Sequence, residues 1–178
     1  MHRRWLGMRW LFGWLGCFFS LFLYSSAVYG LLHGVLGQTL VFGALYRMFM
    51  YHEAYAFQYI ALFCAVHASV VTAAVYGLPQ SLRSHRWLLA AGTLLVTIAV
   101  ASVLGGVLWK IHDMLAGYFP PGSRLWQDLL WGAEMGFYLG WQVLAMSQPY
   151  SLLCLLGFVW VTLKCSQLAH RPRSAHML

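Results

Sequence analysis

Residues 47–78 read RMFMYHEAYAFQYIALFCAVHASVVTAAVYGL and lead from a polar beginning into a long apolar run. Residues 57–77 contain no Asp, Glu, Lys or Arg, and this length is sufficient to cross a hydrocarbon core about 30 Å thick. The segment is therefore predicted to form a transmembrane helix. If the helix is continuous, residues at alternating steps of four and three share one face, and these residues are Glu53, Phe57, Ile60, Cys64 and His67.

The composition of the chain is typical of a membrane protein. Of its 178 residues, 61% are hydrophobic, 17% are aromatic and 8% are charged, whereas about a quarter of the residues of a soluble domain are charged. The net charge of +7 comes from basic residues scattered between apolar runs. Because they form no continuous stripe, nucleic acid is not expected as a partner. No disulfide framework is implied by the cysteines, which lie in or beside apolar runs at Cys17, Cys64, Cys154 and Cys165.

Further apolar runs predict an all-α, polytopic membrane bundle of about four transmembrane helices in a single domain, residues 1–178. A basic segment at 1–10 precedes a run at 11–32, which is too long for the apolar core of a signal peptide and is interpreted as the first span. Residues 87–109 contain no charge and have a Trp at each end, as expected where a span meets both interfaces.

The fourth span is predicted at about 143–163, and a basic tail follows at 165–178. Gln148 and Pro149 interrupt this run. A proline kink within one span is the simplest interpretation, and a tight turn between two spans is the alternative.

Two more segments, 34–50 and 125–146, are interpreted as interfacial or re-entrant helical segments. A six-span arrangement, in which both cross the membrane, is the alternative. It places Asp128 and Glu134 inside the bilayer, where an isolated acid costs about 2.5 to 3.5 kcal/mol on insertion scales. With four spans, both termini lie on the side with most basic residues, which the positive-inside rule makes the cytoplasmic side.

Residues 125–146 carry two patterns on one helix. Glycine recurs every four residues at Gly132, Gly136 and Gly140, a ridge that lets another helix approach the backbone closely. A separate polar and aromatic face consists of Gln127, Trp131, Glu134, Tyr138 and Trp141. The glycine ridge predicts helix packing and indicates no chemistry.

His67 is the one histidine deep inside a predicted span. A neutral imidazole at that depth is a candidate axial ligand for haem or for the magnesium of a chlorophyll-type pigment. The alternative is a hydrogen bond to a neighbouring helix, because buried polar groups normally have a partner.

A second group of candidates gathers on the outer side in the four-span arrangement: His52, Glu53, His112, Asp113, Asp128 and Glu134. Such a cluster could hold a metal ion, relay protons or provide an acid and a base for catalysis. The alternative is a structural polar cap in which Arg47, Lys110 and Arg124 pair with the acids.

No CxxC, GxSxG, P-loop or HExxH motif occurs in the chain. The glycine ridge and the abundant aromatic residues favour a small non-enzymatic membrane subunit or assembly factor. Its expected partners are the lipid bilayer and either another membrane protein or a second copy. Two alternatives remain, a transporter or enzyme that uses the outer-side cluster and a haem- or pigment-binding redox subunit that uses His67. The sequence itself requires no cofactor.

Overall fold

The structure is a computed structural model that describes residues 2–35, 56–79, 85–118, 124–146, 148 and 150–169. Within these ranges the chain forms α-helices named α1 (His2–Tyr29), α2 (Ala56–Gly77), α3 (Arg86–Leu115), α4 (Leu125–Met146) and α5 (Tyr150–Ala169). A π-helical segment, Gly30–Val35, continues α1. No β-strand occurs in the described ranges, and the predicted all-α fold class is confirmed.

Among the described helices, four segments are long and apolar enough to cross a membrane: Trp10–Val35, Ala56–Gly77, Arg86–Leu115 and Ser151–Leu168. The chain is thus a multi-pass membrane protein. Helix α4 is not one of the four. Most of the other predicted interfacial segment, residues 34–50, lies outside the described residues.

The first three helices alternate in direction. Gly13 near the start of α1 lies against Tyr76 near the end of α2, and Ser25 lies against Cys64. Helices α1 and α2 are therefore antiparallel. The hydrogen bonds between α2 and α3 show the same reversal.

Helix α5 is antiparallel to α1. The Leu153 carbonyl at its start accepts a hydrogen bond from the Tyr24 hydroxyl, and Leu168 at its end lines a pocket with Phe12. The beginning of α1 and the end of α5 consequently share one end of the bundle, here called the amino-terminal end. The opposite end, where α3 finishes near Asp113 and α4 begins, is called the Asp113 end.

Glycines bring α3 and α4 into backbone contact. A Cβ atom added to Gly132 would lie 2.7 Å from the Gly106 carbonyl oxygen, and one added to Gly136 would lie 2.7 Å from the Gly106 Cα. A Cβ on Gly106 would overlap the Gly132 carbonyl. Because Gly136 also approaches Ser102 while Gly132 approaches Lys110, the two helices are antiparallel. The glycine ridge of α4 is thus occupied within the chain, and Gly140 continues it as a buried residue.

The predicted fourth span at 143–163 differs from the observed helices. Helix α4 ends at Met146 and α5 starts at Tyr150, so a break between two helices replaces the expected kink within one. The Leu144 carbonyl, which has lost its helical partner, accepts bonds from Gln148 Nε2 at 3.0 Å and from Ser151 Oγ at 3.1 Å. These side chains satisfy the end of α4 in place of a backbone amide. Helices α4 and α5 run in the same direction, and α5 alone is long and apolar enough to cross a membrane.

The predicted face of α2 is buried in its inner part. Ile60, Cys64 and His67 are all 5% exposed or less, whereas Phe57 is 54% exposed. Cys64 packs with Cys17 and Leu21 of α1 in the main apolar core. Glu53, the remaining residue of that face, lies outside the described residues.

We expect Gly106→Ala to lower the free energy of unfolding by about 1 to 3 kcal/mol, the usual range for overpacking, because the added methyl group meets backbone rather than a movable side chain. Gly92→Ala is the matched control on the same helix, since a Cβ there has open space. It should leave stability unchanged or raise it by up to about 1 kcal/mol. Thermal or denaturant unfolding in detergent measures both. Equal stability of the two variants would contradict the close contact.

Candidate functional site

His67 occupies the middle of α2 and has no exposed surface. Its Nδ1 lies 2.8 Å from the Thr97 hydroxyl of α3, and its Nε2 lies 3.0 Å from the Thr162 hydroxyl of α5. The Phe158 ring packs edge-on against the imidazole, with centroids 4.8 Å apart. His67, Thr97 and Thr162, here called the His67 triad, thereby join three membrane-crossing helices.

The surrounding hydroxyl groups constrain the protons of His67. Thr97 Oγ1 lies 2.7 Å from the carbonyl of Thr93, and Thr162 Oγ1 lies 2.9 Å from the carbonyl of Phe158. A neutral imidazole has one N–H donor and one acceptor nitrogen. It donates to one threonine, which keeps its bond to the carbonyl, and accepts from the other, whose hydroxyl proton turns towards the ring.

A charged imidazolium would donate to both threonines. However, no carboxylate contacts the ring within the described ranges, and burial of an unpaired ion costs several kcal/mol. We therefore assign His67 as neutral. Both nitrogens are then engaged, so a haem iron or a pigment magnesium would have to displace Thr97 or Thr162. The structure therefore has the predicted alternative, in which His67 hydrogen-bonds neighbouring helices.

A second polar cluster joins α2 and α3 at the Asp113 end. His112 is 7% exposed. Its Nε2 lies 3.0 Å from Gln58 Oε1, and its Nδ1 lies 3.2 Å from the Tyr59 hydroxyl. Because an amide oxygen only accepts, Nε2 carries the proton and Nδ1 accepts from Tyr59 when the ring is neutral. His112 is thus fixed in one tautomer by two residues of α2.

Lys110 and Asp113 form a buried ion pair next to this cluster. Lys110 Nζ lies 3.5 Å from Asp113 Oδ2, and each side chain is 7% exposed. The ammonium group also lies 4.5 Å from the ring centroids of Trp109 and Trp131. Cation–π attraction from two rings replaces part of the lost hydration. Since Trp131 belongs to α4, this contact anchors α4 on α3 beside the glycines.

Of the six ionisable residues predicted to gather, the structure places His112 and Asp113 together and both are buried. On α4, Asp128 is half-buried and Glu134 is exposed, and in the described part of the chain neither side chain has a hydrogen bond or ion pair. His52 and Glu53 lie outside the described residues. The described residues contain no group of three His, Cys, Asp or Glu that could hold a metal ion.

The polar and aromatic face of α4 points away from the bundle. Trp131 is 46% exposed and Tyr138 is 62% exposed, and Gln127 and Glu134 are exposed with them. Trp141, the last residue of the predicted face, is half-buried. We call Gln127, Trp131, Glu134 and Tyr138 the outer face of α4. It lies opposite the glycines that contact α3, although the half of the Trp131 ring that is covered packs on Lys110 and Trp109 of α3.

A cavity of about 170 Å³ separates the helices between the His67 triad and the Asp113 end. Small residues on the four helices α1, α3, α4 and α5 form much of its wall: Ser25, Ala101, Ser102, Gly105, Gly140 and Ser151. The cavity is partly open to the outside of the bundle.

Sequence reasoning identified His67 and the His112–Asp113 pair as polar residues of interest but did not identify their partners. Thr97, Thr162 and Gln58 lie far from them in sequence. A threonine in an apolar span gives little signal, because it also bonds its own helix, as Thr72 does to the Ala68 carbonyl. The signal in the sequence that could have identified them is that Thr97 and Thr162 lie inside their spans, at about the same depth as His67.

Comparisons with models of protein families, with curated proteins and with solved structures find no match for this chain.

We expect Thr97→Val and Thr162→Val each to lower the free energy of unfolding by about 1 to 3 kcal/mol, because each leaves a buried imidazole nitrogen without its partner. Thr72→Val is the matched control, since Thr72 is equally buried and its hydroxyl bonds only its own helix. Unfolding in detergent gives the three values. If Thr72→Val were as destabilising as the other two, the His67 triad would not be a stabilising link.

Replacing Lys110 with Met should lower the free energy of unfolding by about 3 to 5 kcal/mol, the range for breaking a buried pair by removing one partner. The double variant Lys110→Met with Asp113→Leu should recover part of this loss, because no unpaired charge remains. Unfolding of both variants in the same detergent measures the recovery. A double variant less stable than Lys110→Met alone would show that Asp113 acts mainly through other contacts.

Proposed function

We propose that this chain is a non-enzymatic membrane subunit or assembly factor that binds another membrane protein through the outer face of α4. The observation that supports this proposal is the exposed carboxylate of Glu134 between the aromatic side chains of Trp131 and Tyr138 on the surface of a membrane-embedded bundle. Aromatic residues are enriched in protein interfaces, and an exposed acid on an apolar helix is a candidate for a specific partner.

The depth of Glu134 follows from the glycine contact. Gly132 and Gly136, on either side of it, both lie against Gly106, so Glu134 is at about the depth of Gly106. Trp109, the expected interfacial residue of α3, is three residues nearer the Asp113 end, a difference of about 4.5 Å along a helix. With Trp109 at the interface, Glu134 would lie just inside it, and its exposed carboxylate would face lipid in the isolated chain.

No neighbour in the described part of the chain relieves this charge. Lys110, the nearest basic residue along the contact, is held by Asp113 and by two tryptophan rings. A partner helix with an Arg, Lys or hydroxyl donor at the same depth would pair with the Glu134 carboxylate. The glycine ridge supports this division of roles, because it binds α4 to its own bundle and leaves the outer face for the partner.

The two other interpretations depend on side chains that already have hydrogen-bond or ion-pair partners within the chain. A transporter or enzyme would use His112 and Asp113, which are bonded to Gln58, Tyr59 and Lys110. A redox subunit would use His67, whose two nitrogens face threonines.

We also propose that the amino-terminal end of the bundle lies in the cytoplasm. Basic residues in the first turns of α1 and at the start of α3 support this orientation through the positive-inside rule.

The test is the composition of the protein extracted from its own membrane in mild detergent. We expect the wild-type chain to elute with another membrane polypeptide in a fixed ratio, and Glu134→Lys to reduce the amount of that polypeptide at least tenfold, because a salt bridge becomes a repulsion. Tyr138→Ala should reduce it as well. Quantitative mass spectrometry of the eluted complex gives the ratios.

Trp160→Ala is the control, since Trp160 is 59% exposed but lies on α5. It should retain the partner, and all variants should keep the unfolding temperature of the wild type. A partner bound equally well by Glu134→Lys, or a wild-type chain that elutes alone, would contradict the proposal.

A further inference from the structure

We propose that the cavity of the bundle binds a segment of one flexible hydrocarbon chain of an amphiphile whose polar head lies at the Asp113 end. The proposal is independent of the partner assigned to the outer face of α4. It rests on the volume, the lining, the direction and the polar end of the cavity.

The volume is sufficient for a hydrocarbon ligand. The cavity measures about 170 Å³, and a buried apolar cavity of about 150 Å³ is known to bind benzene. Most of its lining is aliphatic or aromatic, including Ile60, Phe63, Ile98 and Phe158. Water needs two to four polar partners to occupy a cavity, and such a wall favours hydrocarbon instead.

The cavity is elongated along the bundle. On α1 its lining extends from Ser25 to Leu32, and on α3 from Ile98 to Gly105. Seven residues of helix correspond to about 10 Å. A cavity that is long in the direction of the membrane normal accepts a hydrocarbon chain aligned as lipid chains are. Its small wall residues leave room for a flexible chain that has no fixed shape.

Polar groups that can bind a head group lie at one end of the cavity, whereas the Ser25 and Ser151 hydroxyls elsewhere in the wall are bonded to Cys64 and to the Leu144 carbonyl. The Tyr59 hydroxyl, bonded to His112, and the His33 ring, stacked on Tyr29, line the part nearest the Asp113 end. The part nearest the His67 triad has Phe63 and Phe158. A ligand with an apolar tail and a hydrogen-bonding head therefore fits in one orientation.

The break between α4 and α5 provides a side entrance. The cavity is partly open to its surroundings, and Leu144, Cys154 and Leu155 line it beside this break and are half-buried, so we place the opening here. A chain can enter from the surrounding lipid without passing through water. Cys154 reports on the occupancy of the site because its thiol is part of the wall.

The experiment uses cis-parinaric acid, a fluorescent fatty acid, with the full chain purified in detergent. We expect saturable binding at one probe per chain. Cys154→Phe should weaken the binding at least tenfold by filling the cavity. Leu156→Phe should not change it, since Leu156 is 63% exposed on the same helix. Ala101→Leu narrows the opposite wall and should reproduce the effect of Cys154→Phe.

A readout without substitution uses alkylation of the wild-type cysteines by N-ethylmaleimide. Saturating parinaric acid should slow the modification of Cys154 at least tenfold and leave Cys165, which lines a different pocket, unchanged. Displacement of the probe by a phospholipid would identify an acyl chain as the natural ligand, and displacement by a long isoprenoid alcohol would identify an isoprenoid. The absence of saturable binding, or unchanged binding in a folded Cys154→Phe variant together with unprotected Cys154, would overturn the proposal.

Discussion

The need of a buried imidazole for hydrogen-bond partners is the constraint on which the helix arrangement depends. In hydrocarbon no water can satisfy His67, so its partners must come from the protein, and Thr97 and Thr162 supply them from α3 and α5. Apolar side chains alone give little preference among rotations of a helix in lipid, because lipid tails are as apolar as leucine. A fixed pair of hydrogen bonds removes that freedom. The rotation of three helices is set together at the His67 triad.

Small residues determine how closely α4 packs on α3. Helix α4 approaches α3 so closely that backbone meets backbone at Gly106, Gly132 and Gly136. Lys110 extends across this contact to the Trp131 ring, so an ion pair and a glycine contact lie side by side. Ser102 of α3 and Gly140 of α4 lie farther along the same surface and line the cavity. Because Gly136 still meets the Ser102 backbone, the cavity begins directly beside the close contact of α3 and α4.

The sequence predicted the helical class, the spans and the residues that needed partners, because each of these depends on local composition. The apolar run at 57–77 and the Trp-bounded run at 87–109 are such cases. It did not predict which helix would meet which. The partners of His67 lie 30 and 95 residues away, and hydropathy carries no information on pairing. Pro149 was identified as an interruption, but the chain forms two helices rather than one kinked span. Gln148 and Ser151 satisfy the end of α4 at the break.

The division of α4 into two faces bears on the chemistry of any partner. A helix that uses its glycines for its own bundle cannot offer a second smooth ridge, so association through small residues is not available on the outer face. That face presents tryptophan, tyrosine and a carboxylate. Large rigid rings form contacts at low entropy cost, since few side-chain torsions are fixed, and a single acid at a defined depth restricts the register of the partner helix. Recognition through this face would therefore depend on the depth of one complementary donor, and a partner shifted by one helical turn, about 5.4 Å, would lose it.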